Sequence, residues 1–592
     1  MQHTHTKLLR VALFFCALFW TQLSFSQVNY TAKDGIQPYS GHFRPGSNMG
    51  YLPLGWTNQT AADLLAGNPN KGIPGVGAKA LRPSLASYVL EQFGDEIELE
   101  PFEYYFNLGL NDLTAFVGEP SDALRDHTEY CPGHESTMFK DLYEPIWDDG
   151  QNGTPVNDNN PFALYMYRIV TKYDNYVKFW EIWNEPGFTY TDKGWRPPGF
   201  PGNYWENNPD PCDYKLRAPV FHYLRTLRIA YEVIKYVSPD DYVVVAGLGF
   251  PSFLDVLLRN TDNPIDGSVT PDFPHKGGAY FDVLGIHSYP SIDGSLRHWD
   301  NNTQNWTYMR NSDEAARQVI DERFGIYENV LSSYGYNGEQ YPKKLRTITE
   351  TNVPRIKFTN ESLASVEGQT NFLMKSAVIN KVNDVIQMHV YSIDDLEYEN
   401  DIVNEFQAMG FYKKFTNDDP LNQVRHPAAI GFKTTADFIT ETTYDPAKTA
   451  ALNLSQDVKG YAFRKQNGTY LYVLWAKTLV DNSETASKNY SFPAALNIES
   501  LTRYNWHYSN TFQSFSTDPN NIQLTGSPSF FVENPSNDMP PEVTLSTPQL
   551  IVNEPFTITA TFSEPVTGMS ISDFNITNAT LSNFPATEIY IP

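Results

Sequence analysis

Two glutamates in this chain each stand near the end of a short apolar run that a proline closes. The first run is Val177-Lys178-Phe179-Trp180-Glu181-Ile182-Trp183-Asn184-Glu185-Pro186; the second is Leu345-Arg346-Thr347-Ile348-Thr349-Glu350-Thr351-Asn352, followed by Val353-Pro354. Runs rich in β-branched and aromatic residues read as buried strands, and a closing proline turns the backbone out of the sheet. Each carboxylate is then left at the rim, where α/β barrels build their sites. Two carboxylates facing each other across a glycosidic bond can break it. One is protonated to release the leaving group, and the other attacks the anomeric carbon or activates water. Asn184 can donate to and accept from a hydroxyl beside the reacting carbon. A lone Glu in such a place is more often a helix cap. Two at matched positions read as a working pair.

A third buried run, Phe281-Asp282-Val283-Leu284-Gly285-Ile286-His287-Ser288-Tyr289-Pro290, lies between them and ends in His287 and Tyr289. Strand-like runs at 177–182, 242–247, 281–287, 345–349 and 385–391 alternate with helical periodicity at 82–93, 161–172, 217–237, 312–334 and 369–381. That alternation predicts a parallel α/β architecture over 27–432, a TIM (β/α)8 barrel with long top-face loops. A closed barrel brings strands distant in sequence to one rim, so Glu185 and Glu350 can meet. The loops after Glu185 and His287 are rich in Trp, Tyr, Gly and Asn. Trp195, Trp205, Trp299 and Trp306 are candidates to stack on sugar faces, with Trp195 and Trp299 taken as the substrate contacts.

Trp183-Asn184-Glu185-Pro186 resembles the acid/base signature of clan A glycoside hydrolases, retaining (β/α)8-barrel enzymes in which an Asn-Glu pair ends strand four. Thr349-Glu350-Thr351-Asn352 resembles their nucleophile signature at the end of strand seven. His287-Ser288-Tyr289-Pro290 is similar to a strand-six segment of glycoside hydrolase family 39, the nearest family. The chain departs from that family at Thr351, where it usually has an aromatic residue, and the agarase-like and porphyranase-like families of the clan also fit. The resemblance implies Glu185 as general acid/base, Glu350 as nucleophile, Asn184 on the neighbouring hydroxyl, and Tyr289 or His287 donating to Glu350. It also implies a retaining mechanism.

From 433 to 537 the pattern changes to short alternating strands divided by Asn, Gly, Ser and Pro, as in an antiparallel β-sandwich. Past Pro540-Pro541, residues 538–592 resemble a partial bacterial Ig-like domain, with the natural chain expected to continue beyond Pro592. At the other end, Lys7 and Arg10 precede the apolar run 11–20, with small residues at Ser24-Phe25-Ser26. That is the layout of a signal peptide over 1–26, and it predicts a secreted or cell-surface protein with no membrane insertion. Cys131 and Cys212 are the two cysteines left after it, and export favours a disulfide between them.

The net charge is −26, from 43 basic and 69 acidic residues, which argues against nucleic acid as a partner. Lys193, Arg196, Arg297 and Arg355 keep a sulfated or uronic glycan open. No Cys/His cluster has zinc spacing and no Gly-rich phosphate loop occurs, so no metal or cofactor is expected. Two functions fit: a secreted glycoside hydrolase acting on a plant or algal polysaccharide, or a non-catalytic carbohydrate-binding or adhesion protein on a barrel scaffold. The retention of both acids favours the enzyme.

Overall fold

A computed structural model describes residues 35–534 apart from 51, 417 and 418, together with 543–546, 558–562 and the isolated positions 566, 570, 574 and 580. The leader expected at 1–26 and most of 538–592 lie outside the described residues.

One parallel sheet organises the first three quarters of the chain. Its strands are β1 (Arg44–Asn48), β2 (Ala80–Arg82), β3 (Ser84–Ala86), β4 (Leu113–Gly118), β5 (Val177–Ile182), β6 (Tyr242–Leu248) and β7 (Val283–Ser288). After a hairpin, β8 (Arg297–Asp300) and β9 (Asn305–Tyr308), follow β10 (Leu345–Thr351) and β11 (Val385–Val390). The sheet order is β2-β1-β11-β10-β7-β6-β5-β4-β3. Only Pro83 separates β2 from β3. Proline has no N–H to give to a ladder, so the strand breaks there and resumes. β2 pairs with β1 and β3 with β4. The two edges are one kinked strand, and the sheet closes as a barrel of eight strand positions. β5, β7 and β10 are the fourth, sixth and seventh.

Helices follow the strand positions in turn, from Asn58–Ala66 to Pro427–Ile439. Their starts carry ordinary caps: the Asn160 side chain accepts from Ala163 N, and Ser365 Oγ from Gly368 N. The helix expected from residue 82 begins at Ser87 instead, and 80–82 and 84–86 are strand. Pro83 suits a helix start as well as a strand break, so local pattern did not separate the two. β1, β2, β3 and β4 escaped the strand pattern altogether. Arg-Pro-Gly-Ser-Asn in β1 has little strand propensity and is held by β2 and β11 on either side. The last barrel helix runs to Ile439, past residue 432, where the change in composition had suggested the barrel ends.

The barrel interior changes character along its axis. Towards the amino ends of the strands, Phe179, Tyr242, Val244, Val283 and Ile386 form an apolar plug, with Tyr39 packed against it. Glu181, two residues beyond Phe179, shares its inward face but lies in a polar layer with Arg82 and Asn48. The fully buried charges inside the barrel are therefore gathered at the carboxyl end, while at the amino end a part-exposed pair, Arg44 and Asp112 at 3.1 Å, flanks the plug.

Beyond the barrel, strands between Thr443 and Glu533 form a six-stranded antiparallel sheet, with a second two-stranded sheet of Ser487–Tyr490 and Ile522–Thr525. Alternation decides their packing. Tyr472 and Leu474 face the small sheet, while Leu471, Val473 and Trp475 face the barrel core. Trp475 Nε1 donates to Asp313 at 2.6 Å, tying this sheet to a barrel helix. Val543–Ser546 pairs antiparallel with Thr559–Phe562. Among the described residues no helix is long and apolar enough to cross a membrane. Cys131 and Cys212 form a disulfide with Cα atoms 4.9 Å apart, joining two top-face loops.

Candidate active site

The site is built at the carboxyl ends of β2, β5, β7 and β10, and its organiser is Arg82. This guanidinium is almost fully buried and distributes its donors over four side chains. Nε reaches Glu181 at 2.5 Å, Nη1 reaches Asn48 at 2.9 Å and Glu350 at 2.9 Å, and Nη2 reaches Asn184 at 2.8 Å. Glu181, with no exposed surface, also accepts from Gly247 N at 3.1 Å. Burial opposes its charge, but the Arg82 cation wins and holds the carboxyl below the usual range. Burial, followed by the same cation, pushes His389 down to about 3, so this neighbouring imidazole is neutral.

Beyond β5 the backbone takes an unusual path. Trp183 and Glu185 both have positive φ, 78° and 49°, a region non-glycine residues seldom occupy. Trp183 can swing inward because Gly118 on β4 has no side chain; a Cβ there would sit 2.6 Å from the indole. Lys215 Nζ holds the Asn184 carbonyl at 2.8 Å. The turn thereby aims Asn184 and Glu185 into the barrel mouth. With Arg82 on its Oδ1, Asn184 keeps its amide N–H groups for a ligand.

The two candidate acids have separate partners. Glu350 takes Arg82 on Oε1 and the Tyr289 hydroxyl on Oε2 at 2.7 Å. Glu185 Oε1 accepts from His287 Nδ1 at 2.8 Å, and the same nitrogen lies 3.5 Å from Glu350. Of the two donors expected at Glu350, Tyr289 is thus the one bonded to it, and His287 serves Glu185. One oxygen of Glu185, one of Glu350 and a ring nitrogen of His287 all lie within 4.8 Å of one another. Such a trio could ligate a cation, yet Arg82 already places a fixed positive charge on Glu350.

Burial disfavours charge on His287, but Glu350 and the bond to Glu185 outweigh it and raise its pKa. Burial likewise disfavours charge on Glu185, and His287, Lys215 and Arg82 reverse that and lower it. Between the two ordinary values, 4.5 and 6.5, the pair is therefore carboxylate and imidazolium, holding one proton between them. Burial first, then Glu350, raise Tyr289 well above the ordinary phenol value, so it remains a donor.

The aromatic candidates divide. Trp195 is 49 % exposed and rests edge-on against Phe250, with the Arg323 guanidinium 5.1 Å over its ring. Trp299 and Trp306 pair across the β8–β9 hairpin at 5.3 Å, each about half exposed. Trp205 packs against the core instead. Arg82, Glu181, Asn48 and Lys215 were not singled out from sequence. Glu181 carried a signal nonetheless, because a charge inside a buried apolar strand requires a partner.

The bacterial Ig-like domain family matches residues 537–590. No curated protein matches the sequence. Among solved structures, the chain is similar to a GH30 endoxylanase from Clostridium papyrosolvens C71, at 12 % identity over 86 % of this chain and 98 % of that one, with a TM-score of 0.42. It is similar to the catalytic domain of GH30 xylanase C from Talaromyces cellulolyticus, at 10 % identity, 84 % and 98 % coverage and TM-score 0.45. An α-L-arabinofuranosidase from Thermotoga maritima gives 12 %, 85 %, 98 % and 0.42.

Proposed function

We propose that this chain is a secreted, retaining glycoside hydrolase of the clan A type, nearest in its motifs to family 39, acting on a plant or algal polysaccharide. The observation that carries the reading is the pair Glu185 and Glu350. They stand at the ends of the fourth and seventh strands with oxygens within 4.8 Å of each other. Retaining enzymes need carboxyl groups about 5–5.5 Å apart, whereas inverting ones need roughly 6.5–9.5 Å to seat a water between them.

In this mechanism Glu350, oriented by Arg82 and Tyr289, attacks the anomeric carbon as the bond to the leaving oxygen breaks. The proton on His287 crosses its 2.8 Å bond to Glu185 and passes from there to that oxygen, leaving a carboxylate and a neutral imidazole. Water then attacks the glycosyl ester, gives its proton back to the Glu185–His287 pair and frees Glu350. Asn184 donates to the hydroxyl beside the anomeric carbon.

Product analysis by mass spectrometry tests the proposal. The mature protein is incubated with xylans, mannans, glucans, agars, porphyran and carrageenans, with Glu350→Gln as the blank. Oligosaccharides from one glycan, absent in the blank, are expected, with the anomeric configuration retained by NMR. Binding to a glycan without any products would favour an adhesion role instead.

A further inference from the structure

Beside the catalytic pair, the loops after the fourth, sixth, seventh and eighth barrel strands enclose a cavity of about 580 Å³, within the roughly 300–1,000 Å³ of ligand pockets. Neither glutamate lines it, and its link to the site runs through residues next to Tyr289 and its ring partner. Pro290 and Ser291 in its wall follow Tyr289, the Glu350 partner, and Glu405 precedes Phe406, whose ring packs on Tyr289 at 5.1 Å. Trp195 supplies an aromatic face, and Ser291 Oγ, on a residue only 5 % exposed, has no hydrogen-bond partner among the described residues.

The lining also reports on charge. Asp293, Glu361 and Glu405 face a single guanidinium, Arg297, and Asp293 is paired with Arg323 at 2.6 Å. The other basic residues that kept an anionic glycan open are occupied. Lys193 pairs with Asp213 at 2.7 Å, Arg196 with Asp192 at 2.7 Å, and Arg355 is buried on Asp395 at 2.6 Å. Arg297 itself lies over the Trp306 ring. With Asp293 neutralised by Arg323, Glu361 and Glu405 against Arg297 leave the lining one negative charge in excess, which a sulfate or uronate would meet beneath a protein of net charge −26.

The outer wall is braced. Arg297 and Tyr308 are cross-strand partners, as are Trp299 and Trp306, and with a two-residue period all four share one hairpin face. That face leads from the cavity outward as an aromatic platform. At its base Arg310 is gripped by Asp481 of the C-terminal sheet unit and bonds to the carbonyl of Asn360, next to lining residue Glu361.

We propose that this cavity is a second sugar position of the same cleft, and that it selects an uncharged glycan running across the hairpin platform, so that bonds inside chains are cut. The proposal rests on the hydrolase reading above for the cutting, and on the cavity alone for the selectivity.

Titration calorimetry on the mature Glu350→Gln protein tests it, using xylo-, manno-, cello- and neoagarohexaose against oligogalacturonate and carrageenan hexaoses. One neutral hexaose is expected to bind, with an affinity nearly unchanged between about 50 and about 300 mM NaCl. Adding Trp195→Ala or Ser291→Val should weaken that hexaose, by roughly tenfold or more for the tryptophan, with a smaller loss for the trisaccharide. Preferred binding of a charged hexaose, no binding of any hexaose, or unchanged affinity in both variants would overturn the proposal. The wild-type protein separates the two readings. Hexaose binding without products refutes hydrolysis and leaves the sugar site standing, whereas products with both variants unaffected do the reverse.

Discussion

A Cβ placed on Gly247 would lie 2.0 Å from the ring of His287. The two residues end neighbouring strands, β6 and β7, and the imidazole occupies the space a side chain would take. Its reach to Glu185 depends on that emptiness. Gly247→Ala should therefore displace His287 while leaving the barrel folded. A shift near 1 Å in a catalytic group costs about 10²-fold in kcat. Steady-state kinetics beside circular dichroism would check this, and an unimpaired Ala variant would remove His287 from the mechanism.

Arg82 neutralises Glu181 where neither reaches water, so removing one partner strands the other. Arg82→Ala should lower stability by about 3–5 kcal/mol, whereas Arg82→Met with Glu181→Leu should recover much of it without restoring activity. Urea denaturation of the two variants measures the difference. Arg82→Lys should also lose activity, because an ammonium cannot serve four acceptors in one plane.

The Glu185–His287 pair sets a pH window. Folding raises His287 above 6.5, so its stabilisation is complete below that pH and is lost as the pH rises through the raised value. Folding lowers Glu185 below 4.5, so its stabilisation is present above that pH and is lost as the pH falls through the lowered value. Thermal midpoints should peak between these limits and fall on the alkaline side. His287→Asn should flatten the alkaline fall, and parallel curves for the two proteins would count against the ion pair.

Glu185→Gln cannot give a proton to the leaving oxygen. Its kcat should drop by roughly 10²–10⁴-fold on a natural glycoside. The drop should shrink on an aryl glycoside whose leaving group needs no proton, and added azide should rescue turnover by attacking the glycosyl ester in place of water, since an anion needs no base to remove a proton. Equal losses on both substrates would assign the acid elsewhere.

The Cys131–Cys212 bridge closes a loop over a sequence separation of 81. Loop-closure entropy puts its contribution at about 4.5 kcal/mol. Cys131→Ser should lower the melting temperature at neutral pH while kcat is largely kept, since neither cysteine touches the acids. Calorimetry with and without reductant gives the comparison.

By itself the sequence determined the strands that carry the acids and the order in which they come. β5 runs from Val177 to Ile182 as its pattern predicts, and β10 and β7 fall within two residues of theirs, because apolar β-branched runs closed by proline have few other ways to bury themselves. Tertiary structure decided the rest. Arg82 lies in a segment whose local pattern suits helix or strand equally, and only closure of the barrel between β1 and β4 makes it a strand facing Glu181 and Glu350. His287 and Tyr289 are two residues apart, yet one serves Glu185 and the other Glu350. That division follows from how the fourth, sixth and seventh strands are staggered at the rim. Propensity acts over a few residues and is written in them; the meeting of charges 99 and 268 positions apart is settled by the closed sheet that brings their strands together.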